Sequence, residues 1–248
     1  MRLSITPMDE APGVDEDEAG VRGQKAMRLI ITDVTEMHGG NYCVAGWKAQ
    51  GQRMVRPLPN GANWTAGLLQ QHGIAPGASI DVTPTGQQHP SAFPHHTEDT
   101  LVDQATIQHV NGGPINWFAA GAPLTYGTVS GAFFGHIAHN SIWNNILQGV
   151  YVPVGAQVGS LAAVRLPRAA VQFVEEFDKL KAVLNDGNAR YKLAVSSLVL
   201  KTAWRQGGLA AVQQALPATP QFHIRLGLAR AFGNPPDKCY LMVNGIHG

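Results

Sequence analysis

The chain holds 248 residues, enough for one large domain or two of about 100 residues each. With 44 % hydrophobic and 14 % charged residues it can bury a core, which excludes wholesale disorder; its two cysteines, Cys43 and Cys239, exclude a disulfide framework or a four-thiolate metal site. A formal net charge of +1 does not by itself announce a nucleic-acid partner.

Residues 1–26 hold six acids (Asp9, Glu10, Asp15, Glu16, Asp17, Glu18) against Arg2, Arg22 and Lys25, with few large apolar side chains. No apolar stretch follows Arg2, so this leader does not read as a secretory signal; it is expected to be disordered. Met1–Thr6 (MRLSIT) nearly repeats Met27–Thr32 (MRLIIT), either by chance or because translation starts at Met27. No uninterrupted apolar run reaches the length of a membrane span, and a soluble, cytoplasmic protein is expected.

Residues 28–36 alternate with period two and break at His38-Gly39-Gly40, a strand and a turn. Residues 41–49 and 53–58 read as two more strands, the second stopped by Pro57 and Pro59. Asn63 is placed to cap a short helix over 64–73, and strands follow at 79–84 and 100–110. The order is β-β-β-α-β-β. Residues 111–158 are rich in Gly, Ala, Asn and aromatics and are expected to pack on the neighbouring domains as loop and short helix. The order then repeats. Strands are read at 159–167 and 179–185, with 168–178 open between strand and helix. Asn185-Asp186-Gly187-Asn188 is a tight turn into a strand at 190–197, and 198–216 is helical but weakened at Gly207-Gly208. Strands at 222–232 and 238–246 close the pattern.

Three strands, a helix and two strands is the element order of the OB fold, a five-stranded Greek-key barrel, and it occurs here twice. The reading is a mainly β chain with a few helices: a leader (1–26), a first OB-like barrel (27–110), a packed insert (111–158) and a second OB-like barrel (159–248) in tandem. The runs YCVAGW…GQRMVRPLP, FPHHTED (93–99) and HIRLGLARAF…KCYLMVNGIHG resemble the prokaryotic dual OB-containing domain family over residues 27–248. That resemblance implies two OB barrels in one chain and a nucleic-acid-related role, such as an accessory component of a bacterial conflict or defence system; it supplies no catalytic residues to carry over.

Charge is unevenly spread. No Lys or Arg falls between Arg56 and Arg165, whereas eleven bases face five acids from Arg165 to the end. Either the second half meets an anionic partner or the bases merely solvate its surface. OB barrels bind oligonucleotides over strands 2 and 3, with cations along the phosphates and aromatics stacked on bases. On that logic the candidate nucleic-acid residues are Trp47, Lys48, Arg53 and Arg56 in the first barrel and Arg190, Lys192, Arg225 and Arg230 in the second. Alternation puts Tyr191 on the face opposite Arg190 and Lys192, and Arg53 opposite Arg56.

His95, His96, Glu98 and Asp99 offer ligand types that suit zinc or acid–base work. His96-Thr97-Glu98 matches half of the zinc-deaminase signature, but the P-C-x-x-C half is missing, and an extended segment cannot converge all four side chains. The bland alternative is that they shape the entry to the strand at 100–110. His136 and His139 would share a helical face but lack the Glu and spacing of H-E-x-x-H, and the favoured reading is a pair of ordinary surface or packing histidines. No Walker A, G-x-G-x-x-G, kinase or G-x-S-x-G pattern occurs. The expectation is a non-catalytic nucleic-acid-binding protein with no cofactor and no metal, the strand type left open. The alternative is a protein-interaction scaffold using the apolar segment 113–147; a metal-dependent enzyme using His95, His96, Glu98, His136 and His139 ranks last.

Overall fold

The computed structural model describes residues 25–110 and 125–248. Residues 1–24 of the acidic leader and the apolar stretch 113–124 thus fall outside the described residues. Strands β1 (Met27–Glu36), β2 (Asn41–Lys48), β3 (Arg53–Pro59), β5 (Ser79–Gln88) and β6 (Asp99–Val110) close on themselves in the order β1-β5-β6-β3-β2, with β2 returning to β1. Every pairing is antiparallel except β3 with β6, the parallel contact that marks an OB barrel. Alternation turns Leu29, Ile31, Val44, Val55, Ile80, Val82 and Val102 inward. A two-residue strand β4 (Trp64–Thr65) leads into helix α1 (Ala66–Gln71), and the fully buried Trp64 plugs the barrel end while its Nε1 donates to the Pro57 carbonyl at 2.8 Å. The helix cap is Thr65, whose hydroxyl accepts from the Leu68 amide, rather than the expected Asn63.

The second barrel repeats this order with its first strand in two pieces. β10 (Leu161–Pro167) pairs with β14 (Gln221–Leu228), a single 3-10 turn at Arg168–Ala170 redirects the chain, and β11 (Val171–Glu175) pairs with β12 (Leu180–Asn185). β12 continues to β13 (Arg190–Val195), and β15 (Lys238–His247) joins β14 to β13, again parallel at the last contact. The Asn185–Asn188 turn is held by its own side chains: Asp186 accepts from the amides of Asn188 and Ala189. Helix α3 (Leu198–Ala215) bends at Gly207 and Gly208, where both residues leave helical geometry.

The insert is more than loop and short helix. After a short strand β7 (Thr125–Tyr126) and one turn of helix α2 (Val129–Ala132) it forms a hairpin, β8 (Ala138–Trp143) and β9 (Ile146–Pro153). β9 wedges between β13 and β15 at one end, while farther along those two strands pair directly. Weak period-two alternation, interrupted at Gly149, hid this hairpin from the sequence. Among the described residues no helix is long and apolar enough to cross a membrane.

Candidate nucleic-acid interface

The two barrels are joined face to face. On the outer side of the first barrel, Ala45, Trp47 and Met54 pack on Leu161 of β10. Around this apolar patch lies a buried polar seam. Arg56 donates to the Asp99 carboxylate at 2.7 Å and to the Ser160 hydroxyl at 2.8 Å. Arg230, reaching over from the second barrel, bonds the other Asp99 oxygen at 2.7 Å, and Ser91 bonds it too. Burial alone would raise the Asp99 pKa, but Arg230, Arg56 and Ser91 together hold it at about 2. Glu98 accepts from the Ser160 amide at 2.8 Å, and His95 donates to the Leu228 carbonyl at 3.0 Å. Burial raises Glu98 and lowers His95 to about 4. Farther along the seam Arg225, 1 % exposed, donates to Asp33 at 3.2 Å and to the Met54 sulfur at 3.1 Å.

This seam decides the fate of half the sequence-derived candidates. Trp47, Arg56 and Arg225 are buried between the barrels and present no surface to a ligand on the outside. Arg225 and Arg56 carry carboxylate partners because an unpaired guanidinium could not be buried there. Arg230 lies beyond the end of β14 and is half-exposed but engaged with Asp99. Lys48 and Arg53 flank the β2–β3 turn, Lys48 half-buried and Arg53 exposed. The FPHHTED segment is part of the seam: His95, Glu98 and Asp99 each take a partner on the second barrel, and His96 donates to the Ser91 carbonyl. His136 and His139 do not share a helix, since His139 lies on β8.

Arg190 and Lys192 do come together. Tyr191, Leu193 and Val195 face the core, leaving Arg190, Lys192 and Ala194 on the outer face of β13. Across the ladder Lys181 pairs with Ala194, Val183 with Lys192 and Asn185 with Arg190, so Lys181 joins the same face. On the other side Ile146 pairs with both Arg190 and Trp143, which carries the face onto the hairpin tip. Trp143 is 68 % exposed there. At the opposite end the β11–β12 turn runs Glu176–Lys179, closed by mutual backbone hydrogen bonds of 3.0 and 3.1 Å. Its central pair, Phe177 and Asp178, both sit in the left-handed region (φ 52 and 55), and Phe177 is 87 % exposed.

Lys179, Lys181, Lys192 and Arg190 thus follow a diagonal on the order of 20 Å from strand rise and spacing, with an exposed aromatic at each end. Glu176 pairs with Lys192 at 2.6 Å, leaving the cationic excess on the rest. The crowding is felt electrostatically: burial, and then the charges of Lys179 and Lys192, lower the Lys181 pKa against the opposing pull of Glu176. Phe177, Lys179, Lys181 and Trp143 were not among the sequence candidates. The i, i+2 spacing of Lys179 and Lys181 in the predicted strand was the available signal; nothing local marked Phe177 or Trp143 as exposed.

No curated protein matches the chain. Among solved structures, the tetrameric p202 HIN2 is similar at 10 % identity with a TM-score of 0.30, over 91 % of this chain and 93 % of that one; a likeness so faint carries no argument about function. The family model for the dual OB-containing domain matches residues 27–246, which take in both barrels, and the chain belongs to that family.

Proposed function

We propose that the chain is a non-catalytic nucleic-acid-binding protein that holds a single strand on the outer face of β11, β12 and β13, acting in a reducing compartment where Cys43 and Cys239 stay thiols. One observation carries the reading. The strand 2–strand 3 face, through which OB barrels take oligonucleotides, is open in the second barrel and gathers Lys179, Lys181, Arg190 and Lys192 between Phe177 and Trp143. Cations track phosphates and exposed rings accept bases, and a polyanion relieves the mutual repulsion of the three lysines.

Fluorescence anisotropy with a labelled oligothymidylate across a salt series tests it. Binding weakens steeply with salt, and Lys181→Ala with Lys192→Ala lowers affinity about tenfold or more and shallows the log–log salt slope by about 1.4. Binding indifferent to salt, or a double variant with the parent slope, overturns the assignment. A protein partner on the β8–β9 hairpin is the second reading, favoured by the exposed Ile142 beside Trp143. Salt-insensitive association of nuclease-treated protein would select it.

A further inference from the structure

On one side of the seam the barrels leave a cavity of about 500 Å³, well within the range of small-molecule sites. Its walls come from both barrels and from the insert. Arg53 stands at the β2–β3 turn, Glu98 and Thr97 come from the loop before β6, and Gly159 and Leu161 from the start of the second barrel. Tyr126 and Phe134 supply an aromatic side, their rings edge to face at 5.9 Å.

Two features set this cavity apart from a packing gap. Phe134 is 66 % exposed and sits in the left-handed region (φ 49), a costly conformation for a bulky side chain that gains nothing from burial. Arg53 is exposed and makes no ion pair among the described residues. Glu98, buried in the wall, is already satisfied: its carboxylate accepts from the Ser160 amide and hydroxyl, the Thr97 side chain and the Leu161 amide. Gly159 lets that carboxylate close against the backbone, since a Cβ there would stand 2.7 Å from Glu98 Oε1.

We propose that this cavity is a nucleotide site: a base stacks on the free face of Phe134, and its phosphate pairs with Arg53. The site is separate from the lysine face of the second barrel and stands or falls independently of it. The unit bound is a nucleoside monophosphate, arriving free or as the end of a strand.

Calorimetric titration of the full chain with guanosine 5′-monophosphate tests the site, with ribose 5-phosphate as the ligand lacking a base. Saturable binding of the nucleotide and none of the sugar phosphate is expected. Phe134→Ala and Arg53→Ala, both exposed positions where folding is not at stake, each weaken it about tenfold or more, whereas Lys181→Ala with Lys192→Ala leaves it unchanged. A 5′-phosphorylated guanine dinucleotide separates the two sources. Capture tighter than that of the mononucleotide assigns the cavity to a strand end, and exclusion assigns it to the free nucleotide. No binding of either at millimolar concentration, or binding that survives both single variants, overturns the proposal.

Discussion

The two barrels share a strand order and use the outer face of their second and third strands in opposite ways. In the first, that face is sealed against the second barrel: Trp47 and Met54 pack on Leu161, and Arg56 is buried with Asp99. In the second, the equivalent strands carry Lys181, Lys192 and Arg190 on the outer face, the two lysines half-buried and Arg190 exposed. Duplication of a binding fold therefore does not mean duplication of a binding site. One copy here has become the support of the other, and its basic residues are structural.

The largest effect should come from breaking the seam. Asp33→Ala leaves the Arg225 guanidinium buried and unpaired and should cost about 3–5 kcal/mol in denaturant unfolding. The pair is imperfectly satisfied, because Asp33 Oδ1 and Arg225 Nη1 lack partners among the described residues. Replacing both with apolar residues, Asp33→Leu with Arg225→Met, should therefore recover most of the loss. If the single variant unfolds within 1 kcal/mol of the parent, the seam does not hold the barrels together.

Acid should attack the same seam next. Burial, then the charges of Arg56 and Arg230, put His95 at about 4; burial, then Arg225, put His223 at about 3; and burial puts His247 at about 4, with Asp33 opposing and Arg225 assisting. In the unfolded chain these rings titrate near 6.5. Below that pH the unfolded state binds protons that the folded state refuses, so stability is full above about pH 6.5 and falls until the pH passes the folded values. Each ring contributes about 1.4 kcal/mol per pH unit inside that window. Asp99, held at about 2, adds its own loss only below the ordinary aspartate range. Melting temperatures at pH 7.5, 5.5 and 4.5 should drop progressively. A flat profile down to 4.5 would mean that the histidines are not confined between the barrels.

Much of the fold was legible, and the reasons are local. Alternation in β1, the stops at Pro57 and Pro59, the Asn-Asp-Gly-Asn turn and the Gly-Gly bend in α3 each state their geometry within a few residues. The site was legible only in part. Alternation correctly placed Arg190 and Lys192 opposite Tyr191, because that depends on one strand alone. It could not show that Arg56 and Arg225 face a second barrel, since the register between barrels is set by contacts more than 100 residues apart, such as Arg56 with Ser160. The β8–β9 hairpin escaped for a related reason: its tip exposes Ile142 and Trp143, which a sequence rule assigns to an interior.

The smallest effect on the fold should be the sharpest test of the open face. Two hairpin turns in the second half place consecutive residues in the left-handed region, Asn144-Asn145 and Phe177-Asp178. Asparagine tolerates that conformation; phenylalanine does not, and an 87 % exposed ring recovers little by packing. A side chain kept where it is both strained and solvated is explained if it meets a ligand. Phe177→Asn should then leave stability unchanged or slightly raised, because the turn gains a residue suited to it. The same change should cut affinity for oligothymidylate about five- to 150-fold, the span of one lost base stack. Duplex affinity should fall far less, since paired bases are not free to stack on the ring. Equal affinity of parent and variant for single strands would return Phe177 to the status of an ordinary turn residue and remove one aromatic end of the face.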